Sequence, residues 1–143
     1  MPVPKVLKGR YEIREVLGKG GMGVVYRAFD TTLKRDVALK TILDIADRKA
    51  LELFHKEYEV LASISHPNIV EIFDLGEFEE ERESMPYFVM PLMSGMALDM
   101  VIRTSSHRLT VERSVDIISQ TCRGLQAAAV VREDFLCGVD ERH

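Results

Sequence analysis

Four glycines fall within the six residues Gly18-Lys-Gly-Gly-Met-Gly23, and runs that favour strands stand on both sides of them. Glycine loses more conformational freedom on folding than any other residue, so a chain concentrates it where the backbone must turn sharply or let another group come close. Upstream, Tyr11, Ile13, Val16 and Leu17 alternate weakly, and downstream Val24-Val-Tyr-Arg-Ala-Phe29 suits a strand. The spacing Gly-x-Gly-x-x-Gly also marks turns that feed a helix and hold a dinucleotide. Here strand formers follow, so the pattern predicts a β-hairpin with a glycine turn after Leu17, whose backbone N–H groups can approach an anion such as phosphate. Taken alone, a glycine hairpin with no ligand accounts for the loop equally well.

The neighbouring segments extend a sheet. Asp30 to Asp36 is a polar connection, and Val37-Ala-Leu-Lys-Thr-Ile42 reads as a third strand. Leu51, Phe54, Tyr58 and Leu61 recur at spacings of three and four, which predicts an amphipathic helix ending before His66-Pro67. Strand pattern returns at Ile69 to Phe73 and at Tyr87 to Met90, while the acidic run Glu77 to Glu83 predicts a solvated hairpin loop. Val115, Ile118, Cys122, Leu125 and Ala129 form a helical stripe, so a helix is expected from Thr110, as N-cap, to about Val131.

Lys40 lies on an otherwise apolar strand, where an unpaired ammonium is costly to bury. Glu57 stands among Phe54, Tyr58 and Leu61 and can supply one anion, and a nucleotide phosphate could supply another. Singly, Lys40 reads as a surface lysine and Glu57 as an exposed helix residue.

In this order and spacing the blocks RYEIREVLGKGGMGVVYRAFD, DVALKTI, FHKEYEVLASISHPNIVEIFDLGEF and PYFVMPLMSGMAL resemble the N-terminal lobe of a protein kinase, specifically the bacterial Hanks-type Ser/Thr kinases. The resemblance covers about Arg10 to Ala128. It implies an α+β fold: a kinase-like small lobe, with an antiparallel sheet of about five strands and one main helix, followed by the first helices of the large lobe. The implied organisation is an N-terminal extension (1–10), the small lobe (11–92), a hinge (93–98), the first large-lobe helices (99–131) and a divergent tail (132–143).

The resemblance also implies a site for ATP with Mg²⁺. Its phosphate-covering loop falls on Leu17, Gly18, Lys19, Gly20, Gly21, Met22 and Gly23, and Val25 and Ala38 match the positions that sandwich adenine. Lys40 matches the lysine that holds the α- and β-phosphates, and Glu57 the helix glutamate that pairs with it; Glu59 is expected to point elsewhere. Met90 falls at the gatekeeper position. Backbone groups of Pro91 and Met93 match those that hold adenine, and proline keeps the carbonyl required there. Leu61 and Ile72 match two positions of the hydrophobic column that links the lobes.

Phosphoryl transfer also needs groups that orient the hydroxyl and hold Mg²⁺. In the family these come from H-R-D-x-x-x-x-N and D-F-G runs, and neither occurs in these 143 residues. The family pattern is left near Ala129, and Asp134 and Asp140 are expected in an exposed tail. No catalytic residue and no Mg²⁺ ligand is assigned. The expectation is the ATP-binding portion of a kinase acting on protein hydroxyls, inactive as these residues alone. The alternatives are a kinase-like module that binds nucleotide or a partner without catalysis, and the product of a disrupted reading frame.

A net charge of −4 offers no basic surface for nucleic acid or anionic membrane. Two cysteines are too few for a disulfide scaffold, the start MPVPKVLK lacks a signal-peptide core, and no apolar run is long enough to span a bilayer. A cytoplasmic location is expected. Met85, Met90, Met93, Met96 and Met100 read as core and hinge packing rather than a metal site, and His55, His66 and His107 lack metal-ligand spacing. The stripe Val115, Ile118 and Leu125 is expected to be exposed and to favour self-association.

Overall fold

The computed structural model describes residues 6–20, 23–44, 46–80, 83–104 and 109–137. Six strands, β1 (Val6–Leu7), β2 (Tyr11–Gly20), β3 (Gly23–Asp30), β4 (Arg35–Thr41), β5 (Asp74–Glu80) and β6 (Glu83–Pro91), form one antiparallel sheet in the order β1-β2-β3-β4-β6-β5. Three helices complete the chain: α1 (Arg48–Ser63), α2 (Leu98–Thr104) and α3 (Val111–Cys137). The sheet has one strand beyond the five expected, because Val6 and Leu7 pair with Glu12 and Tyr11 inside the stretch read as an extension.

Alternation sends Tyr26, Ala28, Val37, Leu39, Tyr87 and Val89 to one face, where they are buried with Leu7, Tyr11 and Ile13. Two register shifts in the β2–β3 ladder, between Ile13 and Glu15 and between Val16 and Gly18, add local twist. The sheet curls until β2 reaches β5: the Tyr11 hydroxyl donates to Asp74 at 2.6 Å, and Arg10 donates to both carboxylate oxygens of Asp30 at 2.9 and 2.7 Å. Lys8 lies over the Tyr87 ring, 5.9 Å from its centroid. Gly76 makes room for this closure, since a Cβ there would sit 2.5 Å from the Tyr87 hydroxyl and 2.7 Å from Lys8 Nζ. Arg10's guanidinium, helped by the Leu33 and Thr32 amides, holds the Asp30 carboxyl down to about 2, while burial and the bond to Asp74 push the Tyr11 hydroxyl up.

Helix α1 lies against the other face. Asp47 caps it by accepting from the Ala50 N–H at 3.0 Å, and Phe54, fully buried, meets the Phe88 ring at a centroid distance of 5.1 Å. The helix ends at Ser63, and beyond it His66 closes a turn: its Nδ1 accepts from the Asn68 N–H at 3.0 Å and its carbonyl from the Ile69 N–H at 3.1 Å. Thr110 caps α3 as expected, accepting from the Arg113 N–H at 3.1 Å. Asn68 joins the two parts of the chain. Its amide donates to Gln120 at 3.1 Å, and its carbonyl sits where a Cβ on Gly124 would come to 2.9 Å.

Four local expectations change. Residues 69–73 are irregular and the strand begins at Asp74; only the Phe73 N–H reaches the Val89 carbonyl, at 2.7 Å, and Ile72 packs on the core instead. A short apolar run carries no period that separates a strand from such a connection. The acidic run is not a loop: Glu77 to Glu80 belong to β5 and Glu83 to β6, because Phe78 turns into the core while Glu77 and Glu79 face outward. The connection at 81–82 lies outside the described residues. Helix α3 continues past Val131 to Cys137, with no proline or glycine to stop it there. Among the methionines, Met85 is buried and Met90 half-buried, but Met93, Met96 and Met100 are exposed, which corrects the packing assigned to those three. Val115, Ile118 and Leu125 are exposed, as the stripe implied.

Candidate functional site

Directly opposed residues of an antiparallel ladder share a face. The register sets Gly18, Val25, Lys40 and Phe88 in one row across β2, β3, β4 and β6, and Arg27, Ala38 and Met90 in a neighbouring row. Val25, Ala38, Lys40 and Met90, scattered over sixty-odd positions of sequence, therefore converge on the face that α1 partly covers. Ala38 is buried, whereas Val25 and Met90 are half-buried.

Lys40 is one of two cations in these rows, and Arg27, the other, is paired with Glu15 and Asp36. The Lys40 ammonium donates to both oxygens of Glu57, at 2.8 and 2.6 Å, with the two side chains 16% and 34% exposed. The pair is shielded enough for charge-assisted bonds to hold geometry, yet open enough for a further anion to reach the ammonium. The local fold explains the meeting. Phe54 and Tyr58 seat α1 on Phe88, with ring distances of 5.1 and 6.5 Å, and Glu57 lies on the same helical face. Glu59 is exposed on α1.

The glycines divide into two kinds. Strand pairing continues past Leu17, with Gly18 opposite Val25, Lys19 opposite Val24 and Gly20 opposite Gly23, so the expected glycine turn is largely the end of a long hairpin. At Gly18 and Gly20 a Cβ would meet nothing within 4 Å, so the fold itself does not demand glycine there. At Gly23 it does: φ is +157°, and a Cβ would press against the Thr41 carbonyl oxygen. Leu17 and Lys19 are exposed near the hairpin end. Gly21 and Met22 lie outside the described residues.

Strand β6 delivers Met90 and ends at Pro91, which is paired in register with Val37; Met93 follows in an exposed segment. A depression of about 580 Å³ opens between the end of α1 and this segment, lined by Leu61, Ile64, Ile72, Pro91 and Met93 among others. Lys40, Glu57 and the glycines do not line it. Leu61 and Ile72 also pack against the core. Among the described residues no group of three or more His, Cys, Asp or Glu side chains could hold a metal ion, and no helix is long and apolar enough to cross a membrane.

The arrangement sets a lysine fixed by a carboxylate near a hairpin whose Gly18 and Gly20 have open space around them. Sequence reasoning missed two supports of this geometry. Asp47 stood three residues before Ala50 at a helix start and carried a readable capping signal. Phe88 was hidden within the apolar run Tyr87-Phe-Val-Met90, where nothing distinguishes it from any core residue.

Residues 11–130 match the family described as protein tyrosine and serine/threonine kinase. The chain is 37% identical over 127 residues to the serine/threonine-protein kinase PknB of Mycobacterium tuberculosis, which covers 87% of this chain and 20% of that protein. It is 38% identical over 140 residues to a probable serine/threonine-protein kinase of Streptomyces coelicolor, covering 94% of this chain and 21% of that protein. The chain thus spans about a fifth of the length of these curated relatives. Among solved structures, the apo form of PpkA-294 superposes with a TM-score of 0.60 at 25% identity, covering 73% of this chain and 43% of the other. With the small-lobe sheet, its helix and the following helices all in place, the chain belongs to the protein tyrosine and serine/threonine kinase family.

Proposed function

We propose that this chain is the ATP-binding portion of a Ser/Thr protein kinase that transfers the γ-phosphate of ATP to protein hydroxyls. The observation that carries the reading is the Lys40–Glu57 pair, already closed at 2.6 to 2.8 Å beside the glycine hairpin. Lys40 would hold the α- and β-phosphates, with Glu57 fixing the ammonium so that little ordering is left to occur on binding. Gly18 and Gly20 leave space for the backbone of the hairpin to close over the phosphates, and the family resemblance extends this loop over Leu17, Lys19, Gly21 and Met22, of which the last two lie outside the described residues. Val25 and Ala38 would sandwich the adenine, with Met90 behind it and backbone groups of Pro91 and Met93 at its edge.

ATP would arrive as its Mg²⁺ complex. The described residues provide no convergent acidic cluster for the metal, and no magnesium ligand is assigned to this chain. Without an H-R-D-x-x-x-x-N or D-F-G run in its sequence, phosphoryl transfer is not assigned to these residues alone. The partners of this reading are ATP and a protein substrate, in a cytoplasmic setting where ATP is present. Isothermal titration with Mg-ATP tests it: Lys40→Ala should weaken binding at least tenfold with little change in fold, and an unchanged affinity would remove Lys40 from the role.

A further inference from the structure

Lys40 has a second neighbour besides Glu57. Phe88 is the residue directly opposite Lys40 in the β4–β6 ladder, and the Lys40 ammonium lies 5.9 Å from the centroid of its ring. The Phe88 ring is fully buried and stacks, tilted by 38°, against both Phe54 and Tyr58 of α1. The ammonium is thus bounded by a carboxylate within hydrogen-bonding distance and by an aromatic ring, and the helix that supplies the carboxylate is seated on that same ring.

A lysine stem has four rotatable bonds, and an ion pair on an otherwise open face leaves several of its conformers accessible. The negative face of an aromatic ring attracts a cation and so favours the conformers that keep the ammonium near it. An aliphatic residue at position 88 would fill the volume without offering that field. We propose that Phe88 is a positioning residue for Lys40: its ring restricts where the ammonium rests and ties that place to the seat of α1. The inference rests on the reading of Lys40 as the phosphate-holding residue, and it adds a requirement for an aromatic ring that this reading does not contain.

Fluorination weakens the electrostatic face of a ring while nearly preserving its shape, so the test replaces Phe88 by mono-, di- and trifluorinated phenylalanine. Mg-ATP affinity should fall stepwise with fluorine count, reaching about two- to fivefold, the range expected for a modest cation–π contact. The same series at Phe54, which touches Phe88, serves as the packing control and should leave affinity unchanged. In the nucleotide-free protein, the ¹⁵N-resolved ammonium signal of Lys40 should shift with each fluorine at Phe88. A flat affinity series with an unmoved Lys40 signal overturns the proposal, as does a series at Phe54 that matches the one at Phe88. If Lys40→Ala leaves Mg-ATP affinity unchanged, the nucleotide reading fails; the Lys40 signal then decides by itself whether Phe88 places the ammonium.

Discussion

Alanine placed singly at Gly18, Gly20 and Gly23 separates what the fold needs from what a ligand needs. At Gly23 the new Cβ would fall well inside the 3.0 Å that real Cβ atoms keep, against a backbone oxygen of Thr41 that cannot rotate away. Relief requires moving the start of β3 off β4, an overpacking cost of ~1–3 kcal/mol, and alanine at φ +157° adds ~1 kcal/mol more. A chain of this size loses roughly 3–5 °C of melting temperature per kcal/mol, so Gly23→Ala should melt on the order of 10 °C below the parent. Gly18→Ala and Gly20→Ala meet nothing within 4 Å and should stay within ~1 kcal/mol of the parent, either slightly destabilising or, through a less flexible unfolded chain, slightly stabilising. Thermal unfolding followed by circular dichroism, with and without Mg-ATP, reads both properties. The expected pattern is a low melt for Gly23→Ala and near-parental melts with a reduced ATP response for the other two. Gly23→Ala melting with the parent, or Gly18→Ala unfolding, would refute the division.

Further outcomes follow from the same geometry. Asp30 has its carboxyl held below its ordinary 3.8, at about 2, chiefly by Arg10, so its contribution is complete above about pH 5 and is lost as pH falls through about 2. Because the Arg10 side chain is 33% exposed, the contribution should be ~1–2 kcal/mol, and the stability gap between parent and Asp30→Asn in denaturant titrations should narrow between pH 5 and pH 2. Asp47→Ala removes the cap of α1 and should cost ~1 kcal/mol by urea unfolding, with Asp47→Ser recovering most of it. The exposed face formed by Val115, Ile118 and Leu125 should drive concentration-dependent association; light scattering should show it reduced in Ile118→Ser/Leu125→Ser, and a monomeric parent at tens of micromolar would contradict it.

The features legible in the sequence were those with a period or a cost. The helix around Phe54 and Leu61 announced itself by spacing, the Thr110 cap by residue type, and Lys40 by the expense of an ammonium on an apolar strand. Glu57 was separated from Glu59 by the family resemblance, since taken singly it reads as an exposed helix residue. The strand boundaries were less visible: Ile69 to Phe73 is as apolar as a strand, and only the tertiary fold leaves it half-exposed beside the core without a ladder. Phe78 is a single apolar residue amid glutamates, so its burial depends on the β6 partner rather than on local pattern. The closure of the sheet by Arg10, Tyr11, Asp30 and Asp74 joins residues up to 64 positions apart, and no local signal encodes it.

If the Lys40–Glu57 pair and the glycine hairpin form a working nucleotide clamp, these residues bind Mg-ATP by themselves. The most direct measurement is the thermal melt of the purified chain with Mg-ATP against Mg²⁺ alone, repeated on Lys40→Ala. A ligand at ~100-fold over its Kd stabilises the folded state by roughly 2.7 kcal/mol. A cooperative melt raised by several degrees in the parent and unmoved in Lys40→Ala is expected, whereas a parent melt indifferent to Mg-ATP, or a mutant that responds equally, would contradict the clamp.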